Sequence, residues 1–198
     1  MQPQLDMPRE WTYDELVAYV ESLPYDVNPH CYEIVDGALV VSPSPDADHE
    51  FVSACVRSVI QAAVAPEYWV IGPVDIDLHP SYRTPDLAVV PGALFGTRTR
   101  PIRPADVLLA VEVVSPSSVT TDRITKPAQY AAAGIPAYWR VETSPEVSLT
   151  AYVLPGEAGV YAEVGTWKAG QTAHLEQPFR IDVPIQRLTP GPAEVGQR

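Results

Sequence analysis

The sequence predicts an α/β fold, a central mixed β-sheet flanked by helices, and three stretches carry that expectation. The run Val107-Leu108-Leu109-Ala110-Val111-Glu112-Val113-Val114 is apolar except for one acid and closes on Ser115-Pro116. An unbroken valine-rich stretch of this kind is the pattern of a strand buried on both faces. From Asp46 to about Ala63, apolar residues at Phe51, Val52, Cys55, Val56, Val59, Ile60 and Ala63 follow helical spacing and predict an amphipathic helix. Tyr32-Glu33-Ile34-Val35 and Ala38-Leu39-Val40-Val41 flank Asp36-Gly37, the strongest short hairpin signal in the chain.

The remaining elements fall between these. Residues 1–10 read as an unstructured start, residues 11–188 as one domain, and the proline-rich residues 189–198 as a tail. Thr12-Tyr13-Asp14-Glu15 is a capping box that opens a short helix ending before Pro24. Strands are expected at 68–71, 74–78 and 84–90, and a loop with Arg98, Arg100 and Arg103 leads to the buried strand. A helix then runs to Ala133, with Gly134 as its C-cap and Pro136 just beyond. Residues 137–141 and 147–154 read as strands, including Tyr138 and Trp139 as core, and the stretch to Leu188 as edge strand and loop.

Composition narrows the class. The chain has 198 residues, 46% apolar and 19% charged, enough for one domain with a full core. No run is long enough to cross a bilayer as a helix, and the N-terminus lacks the layout of a signal peptide, so a cytoplasmic protein is expected. Cys31 and Cys55 are isolated and read as buried thiols of a reducing compartment. The net charge of -12 runs against a basic nucleic-acid footprint, although a local groove can differ in sign from the whole. The three arginines read as a solvated loop.

Glu112 is the only charged residue in its strand, and a carboxylate there is expensive unless paired, protonated or bound to a metal. Upstream, Thr84-Pro85-Asp86-Leu87-Ala88-Val89-Val90 repeats the pattern of an acid at the start of an apolar strand. Two acids on two apolar strands point to a metal site. Side chains alternate along a strand, so Glu112 shares a face with Ala110 and Val114.

Pro85-Asp86 and Glu112-Val113-Val114 resemble the two halves of the PD-(D/E)XK nuclease motif, except that valine stands where that motif has lysine. The segment Glu112-Val113-Val114-Ser115-Pro116-Ser117-Ser118, then Asp122, Lys126 and Tyr130, then Gly134-Ile135-Pro136-Ala137-Tyr138-Trp139, resembles the Uma-two family of restriction endonucleases. So does the hairpin Tyr32 to Gly37 followed by Ser42-Pro43-Ser44-Pro45 and His49. The resemblance covers roughly Tyr13 to Leu154 and implies a restriction-endonuclease-like fold. Only two lysines exist, Lys126 and Lys168, and the resemblance implies that Lys126 has taken the place of the missing motif lysine. Asp122, Lys126 and Tyr130 recur at helical spacing; Pro127 fits if the helix proper starts near Thr125, which leaves Asp122 in the preceding turn.

The implied activity is metal-dependent hydrolysis of phosphodiester bonds by an endonuclease, with DNA as the expected nucleic-acid substrate. Asp86, Glu112 and the Val113 carbonyl would hold Mg²⁺ or Mn²⁺, and Lys126 would serve the water or the phosphoryl oxygens. Glu33, His49 and Tyr130 are further candidates for the outer site. Asp75, Asp77 and His79 alternate with apolar residues as on a half-exposed strand and are left out. A homodimer is compatible with cutting two strands; no membrane partner is expected. There is no Gly-x-Ser-x-Gly element, no clustered Cys/His zinc pattern and no Gly-rich phosphate loop. The competing reading is a non-catalytic binding or regulatory module on the same scaffold.

Overall fold

The computed structural model describes residues 10–24, 30–115, 121–156 and 159–189. Residues 1–9 and 190–198, most of the expected unstructured start and tail, lie outside the described residues, as do Pro116, Ser117 and Ser118.

The chain begins with helix α1 (Tyr13–Ser22), closed by the expected capping box: the Glu15 N–H donates to Thr12 Oγ1 at 3.3 Å and the Thr12 N–H to Glu15 Oε2 at 3.1 Å. Strands β1 (His30–Val35) and β2 (Ala38–Pro43) follow, joined by Asp36 and Gly37 at φ 49° and 79°. Both angles are positive, as a type I′ hairpin turn requires. Helix α2 (Ala47–Gln61) is capped by Asp46, whose side chain accepts the His49 N–H at 2.9 Å. Short strands β3 (Tyr68–Ile71), β4 (Ile76–Leu78) and β5 (Ser81–Arg83) lead to β6 (Leu87–Pro91) and the buried β7 (Leu109–Val114). A π-helical turn at Thr121–Thr125 runs into helix α3 (Lys126–Ala132), and β8 (Ala137–Glu142), β9 (Ser148–Val153), β10 (Ala162–Lys168), β11 (Thr172–Leu175) and β12 (Ile181–Pro184) complete the fold.

The central sheet has six strands in the order β10-β9-β8-β7-β6-β3. It is mixed: β7 and β8 are parallel, joined through α3, and the other neighbours are antiparallel. On one face α2 packs Val52, Val56, Val59 and Ile60 against Leu87, Val89, Leu109, Val111 and Val113. On the other, Tyr130 and Ile135 meet Ala88, Ala110 and Tyr138. With both faces covered, all six residues of β7 are buried, as its valine-rich sequence demands. The second sheet, β2-β1-β5-β4, carries α1 on a small core of Tyr13, Leu16 and Ile34.

The structure departs from the sequence expectation in three places. The strands expected at 74–78 and 84–90 start later, at Ile76 and Leu87, because the three-residue β5 between them pairs with β1 and β4 instead. The stretch before Leu188 is more than edge and loop: the β11–β12 hairpin and the turn after it add Ala173, Leu175, Ile181, Val183, Ile185 and Leu188 to the α2-side core. Cys31 is exposed and Cys55 half-buried, so neither is the buried thiol expected. Cys31 sits at the rim of the cavity described below. Among the described residues no helix is long and apolar enough to cross a membrane.

Candidate active site

A cavity of about 630 Å³ opens where the two sheets meet, walled by β1 and β2, the start of α2, the β5–β6 junction, the end of β7 and the start of α3. Glu112 reaches it from the centre of β7. Its side chain projects from the same face as Ala110, toward α3, and is only 2% exposed. Lys126 Nζ donates to Glu112 Oε2 at 2.9 Å, and the Tyr130 hydroxyl donates to Oε1 at 2.7 Å. Lys126 also lies 3.1 Å from Asp122 Oδ1. Asp122 stands in the π-helical turn and Pro127 in the first turn of α3, where a missing N–H costs no helical bond. The lysine thus reaches Glu112 from the helix that follows its strand. It is buried, which excludes the alternative of a surface lysine merely paired with Asp122.

Asp86 stands just before β6, beside the end of β7. Its Oδ2 accepts the Val113 N–H at 2.7 Å, and its Oδ1 lies 3.2 Å from His49 Nε2. The N–H and C=O of one strand residue point to the same edge, so the Val113 carbonyl also faces the Asp86 side. Gly72 makes this placement possible: a Cβ there would come within 2.1 Å of the Asp86 carbonyl oxygen. Glu33, on β1, has both oxygens engaged, with Arg83 Nη1 at 2.9 Å and the Thr84 N–H at 2.9 Å. It pins the chain two residues before Asp86.

The electrostatics follow from burial. Desolvation drives the Glu112 carboxyl well above its ordinary range, opposed by Lys126 and reinforced by Asp86, Asp122 and Glu33. Burial alone would lower the Lys126 ammonium, but Glu112, Glu33 and Asp122 outweigh it and raise its pKa. Burial would likewise lower His49, and Asp86 reverses the sign. Tyr130 is pushed up by burial and by Glu112, so it remains a phenol that donates.

All seven residues singled out from sequence, Asp86, Glu112, Val113, Lys126, Glu33, His49 and Tyr130, meet in or directly behind this one cavity. Arg98, Arg100 and Arg103 do not line it; Arg103 is tied to Asp106 at 2.8 Å and Arg100 bonds Tyr13. Asp75 accepts from Tyr13 and Thr84 outside the cavity. Sequence reasoning missed Arg83 and Gln129. Arg83 is almost wholly buried and bridges Glu33 to Gln129 Oε1 at 2.8 Å, a contact across about fifty residues that no local pattern announces.

The sequence matches, over residues 17–186, the Uma2 family, described as "Putative restriction endonuclease". The chain belongs to the Uma2 family. Among solved structures it resembles one described as a "putative nuclease belonging to DUF820" from Anabaena variabilis ATCC 29413, at TM-score 0.63 and 18% identity. That match covers 90% of this chain and 97% of the other, and it shows a restriction-endonuclease-like fold. No curated protein matches the sequence. Family and fold place this Uma2 chain among nuclease-type proteins.

Proposed function

We propose that this Uma2 protein is a metal-dependent endonuclease of the PD-(D/E)XK type that hydrolyses phosphodiester bonds in DNA. The observation that carries the reading is Lys126 Nζ at 2.9 Å from Glu112 Oε2, in the same cavity as Asp86. The motif valine is compensated in space by a lysine from the following helix. Buried ion pairs are costly to keep for stability alone, since apolar residues of similar volume often serve as well.

The donor set fits a hard divalent cation. Asp86, Glu112 and the Val113 carbonyl offer oxygen only, the ligand type of Mg²⁺ and Mn²⁺. Glu112 and Asp122 share the one Lys126 ammonium, Asp86 stands in the same cavity beside His49, and a divalent ion would offset the surplus negative charge. Among the described residues no three His, Cys, Asp or Glu side chains already converge as a closed cage, so a cation would compete with Lys126 for Glu112 Oε2. When bound, such an ion supplies Lewis acidity toward the phosphate and a more acidic water. Lys126, once turned from Glu112, is the group to hold that water or to donate to the phosphoryl oxygens. Tyr130 fixes the Glu112 carboxylate and His49 the Asp86 carboxylate, a supporting layer that keeps ligands aimed.

The non-catalytic scaffold remains the second reading, favoured by one observation: the cations lining the cavity, Arg83 and Lys126, are already paired with Glu33 and Glu112. Incubating supercoiled DNA with Mg²⁺ or Mn²⁺ and the wild type, Asp86→Ala, Glu112→Ala or Lys126→Ala separates them. Cleavage by wild type, lost by at least about 100-fold in each variant that folds, is expected for removal of a group acting on the transition state. Cleavage by the Asp86→Ala/Glu112→Ala double variant would end the proposal.

A further inference from the structure

Helix α3 carries Lys126, Gln129 and Tyr130 at i, i+3 and i+4, the spacing of one helix face. Two of the three hold Glu112: the Lys126 ammonium and the Tyr130 hydroxyl each donate to one of its oxygens. Gln129 turns to the other half of the site. Its Oε1 accepts Arg83 Nε at 2.8 Å, and its Nε2 donates to Ser81 Oγ at 3.2 Å. Ser81 and Arg83 lie two apart on β5 and so share a face. Ser81 Oγ also accepts the Asp36 N–H at 2.9 Å and donates to Asp36 Oδ1 at 3.1 Å, which fills its lone pairs and uses its one proton. The Gln129 amide therefore has one orientation. Turned over, its NH₂ would face the Arg83 donor, and its oxygen a hydroxyl whose proton is already given to Asp36.

From Arg83 the contacts run on to Asp86. The Arg83 side chain is almost wholly buried, its Nη1 holds Glu33 Oε2 at 2.9 Å, and Glu33 Oε1 accepts the Thr84 N–H at 2.9 Å. Pro85 comes next. Its ring fixes its own φ and restricts Thr84 to extended backbone, so anchoring Thr84 leaves few torsions by which Asp86 can shift. Asp86 Oδ2 then accepts the N–H of Val113, the neighbour of Glu112 on β7, at 2.7 Å.

We propose that Gln129 is a positioning residue that, through Arg83 and Glu33, holds Asp86 in place against Glu112, so that one face of α3 sets both acids of the site. An apolar side chain of the same length would pack α3 against β5 as well. What the amide alone supplies is an acceptor for Arg83 Nε, and without it a buried donor is left unpaired and the guanidinium can pivot about its bond to Glu33. That the two acids hold a metal rests on the nuclease reading; the link from Gln129 to Asp86 does not. Gln129 also borders a second cavity of about 370 Å³, beside Asp36, Ser81, Ala132 and Ala133, so a carboxylate in its place would stay hydrated.

The Val113 N–H reports on Asp86 without metal or substrate, because its acceptor is the Asp86 carboxylate. In the metal-free full chain, Gln129→Met is expected to speed amide hydrogen exchange at Val113 about 10-fold more than at Val111 and Trp139, in the middle of the same sheet. Gln129→Glu, which keeps an acceptor for Arg83 Nε, should restore the wild-type rate. Calorimetric Mn²⁺ affinity should fall about 10-fold in Gln129→Met and recover in Gln129→Glu. Equal acceleration at all three amides would mean that Gln129 only stabilises the fold and would overturn the proposal. So would an unchanged Val113, or one that Gln129→Glu does not restore. Selective acceleration in a protein that binds no Mn²⁺ would support the positioning and remove the metal reading instead. If Gln129→Met does not fold, Ser81→Ala, which frees the amide to turn, decides by the same comparison of amides.

Discussion

Glu112 is the residue on which the site turns, because its strand gives it no access to water. Burial holds its carboxyl above the ordinary glutamate value of 4.5 even with Lys126 alongside. A folded-state pKa above the unfolded one means that the folded chain keeps a proton the unfolded chain has lost. Stability therefore falls as pH rises from about 4.5 through the folded value. Removing the ammonium enlarges that cost. Lys126→Met in metal-free protein should lose about 3 kcal/mol in urea unfolding at neutral pH. The loss should shrink below pH 4.5, where the carboxyl is protonated in both states. An equal loss at both pH values would mean that the pair is not what Lys126 contributes. At this scale one acid in an apolar strand was enough to single out Glu112, whereas Lys126, one of only two lysines, was singled out through the family resemblance. Cys31 misled, because thiol burial is a tendency of the residue type and its neighbours carried no pattern to override it.

Elements with strong local signals are where expectation and structure agree. The Asp-Gly hairpin, α2 with its Asp46 cap and the valine-rich β7 all stand where their periodicity and turn chemistry put them. The short pieces are where they part. Strand β5 has three residues and exists because β1 and β4 lie on either side of it, a tertiary fact with no local trace. The same holds for the Arg83 bridge and for the junction that sets Asp86. That junction depends on Gly72, whose φ of +153° and closeness to the Asp86 carbonyl leave no room for a side chain. Gly72→Ala is expected to push the Asp86 backbone away, destabilising the fold by about 3 kcal/mol and reducing Mn²⁺ affinity. Wild-type stability and affinity in this variant would show that the close approach does not position Asp86.

The whole molecule poses the sharper electrostatic question. A chain of net charge -12, whose basic loop lies off the cavity and whose cavity cations are already paired, offers few contacts to a phosphate backbone. DNA binding in the presence of Mn²⁺ should therefore weaken with added salt, with a log–log slope no steeper than about -4, which corresponds to four or five neutralised phosphates. A slope of zero would point to a substrate other than nucleic acid. Fold class, sheet type and the acids and lysine of the cavity were readable from the sequence and its family resemblance, while Arg83 was not; nor was the closing β11–β12 hairpin, because its four-residue strands carry too little period to distinguish core from edge.

The most direct measurement is calorimetric titration of Mn²⁺ into metal-stripped wild type and Glu112→Ala. The account predicts saturable binding to wild type that is lost in the folded variant. Equal binding to both, or none to folded wild type in the presence of a DNA fragment that supplies phosphate, would contradict it.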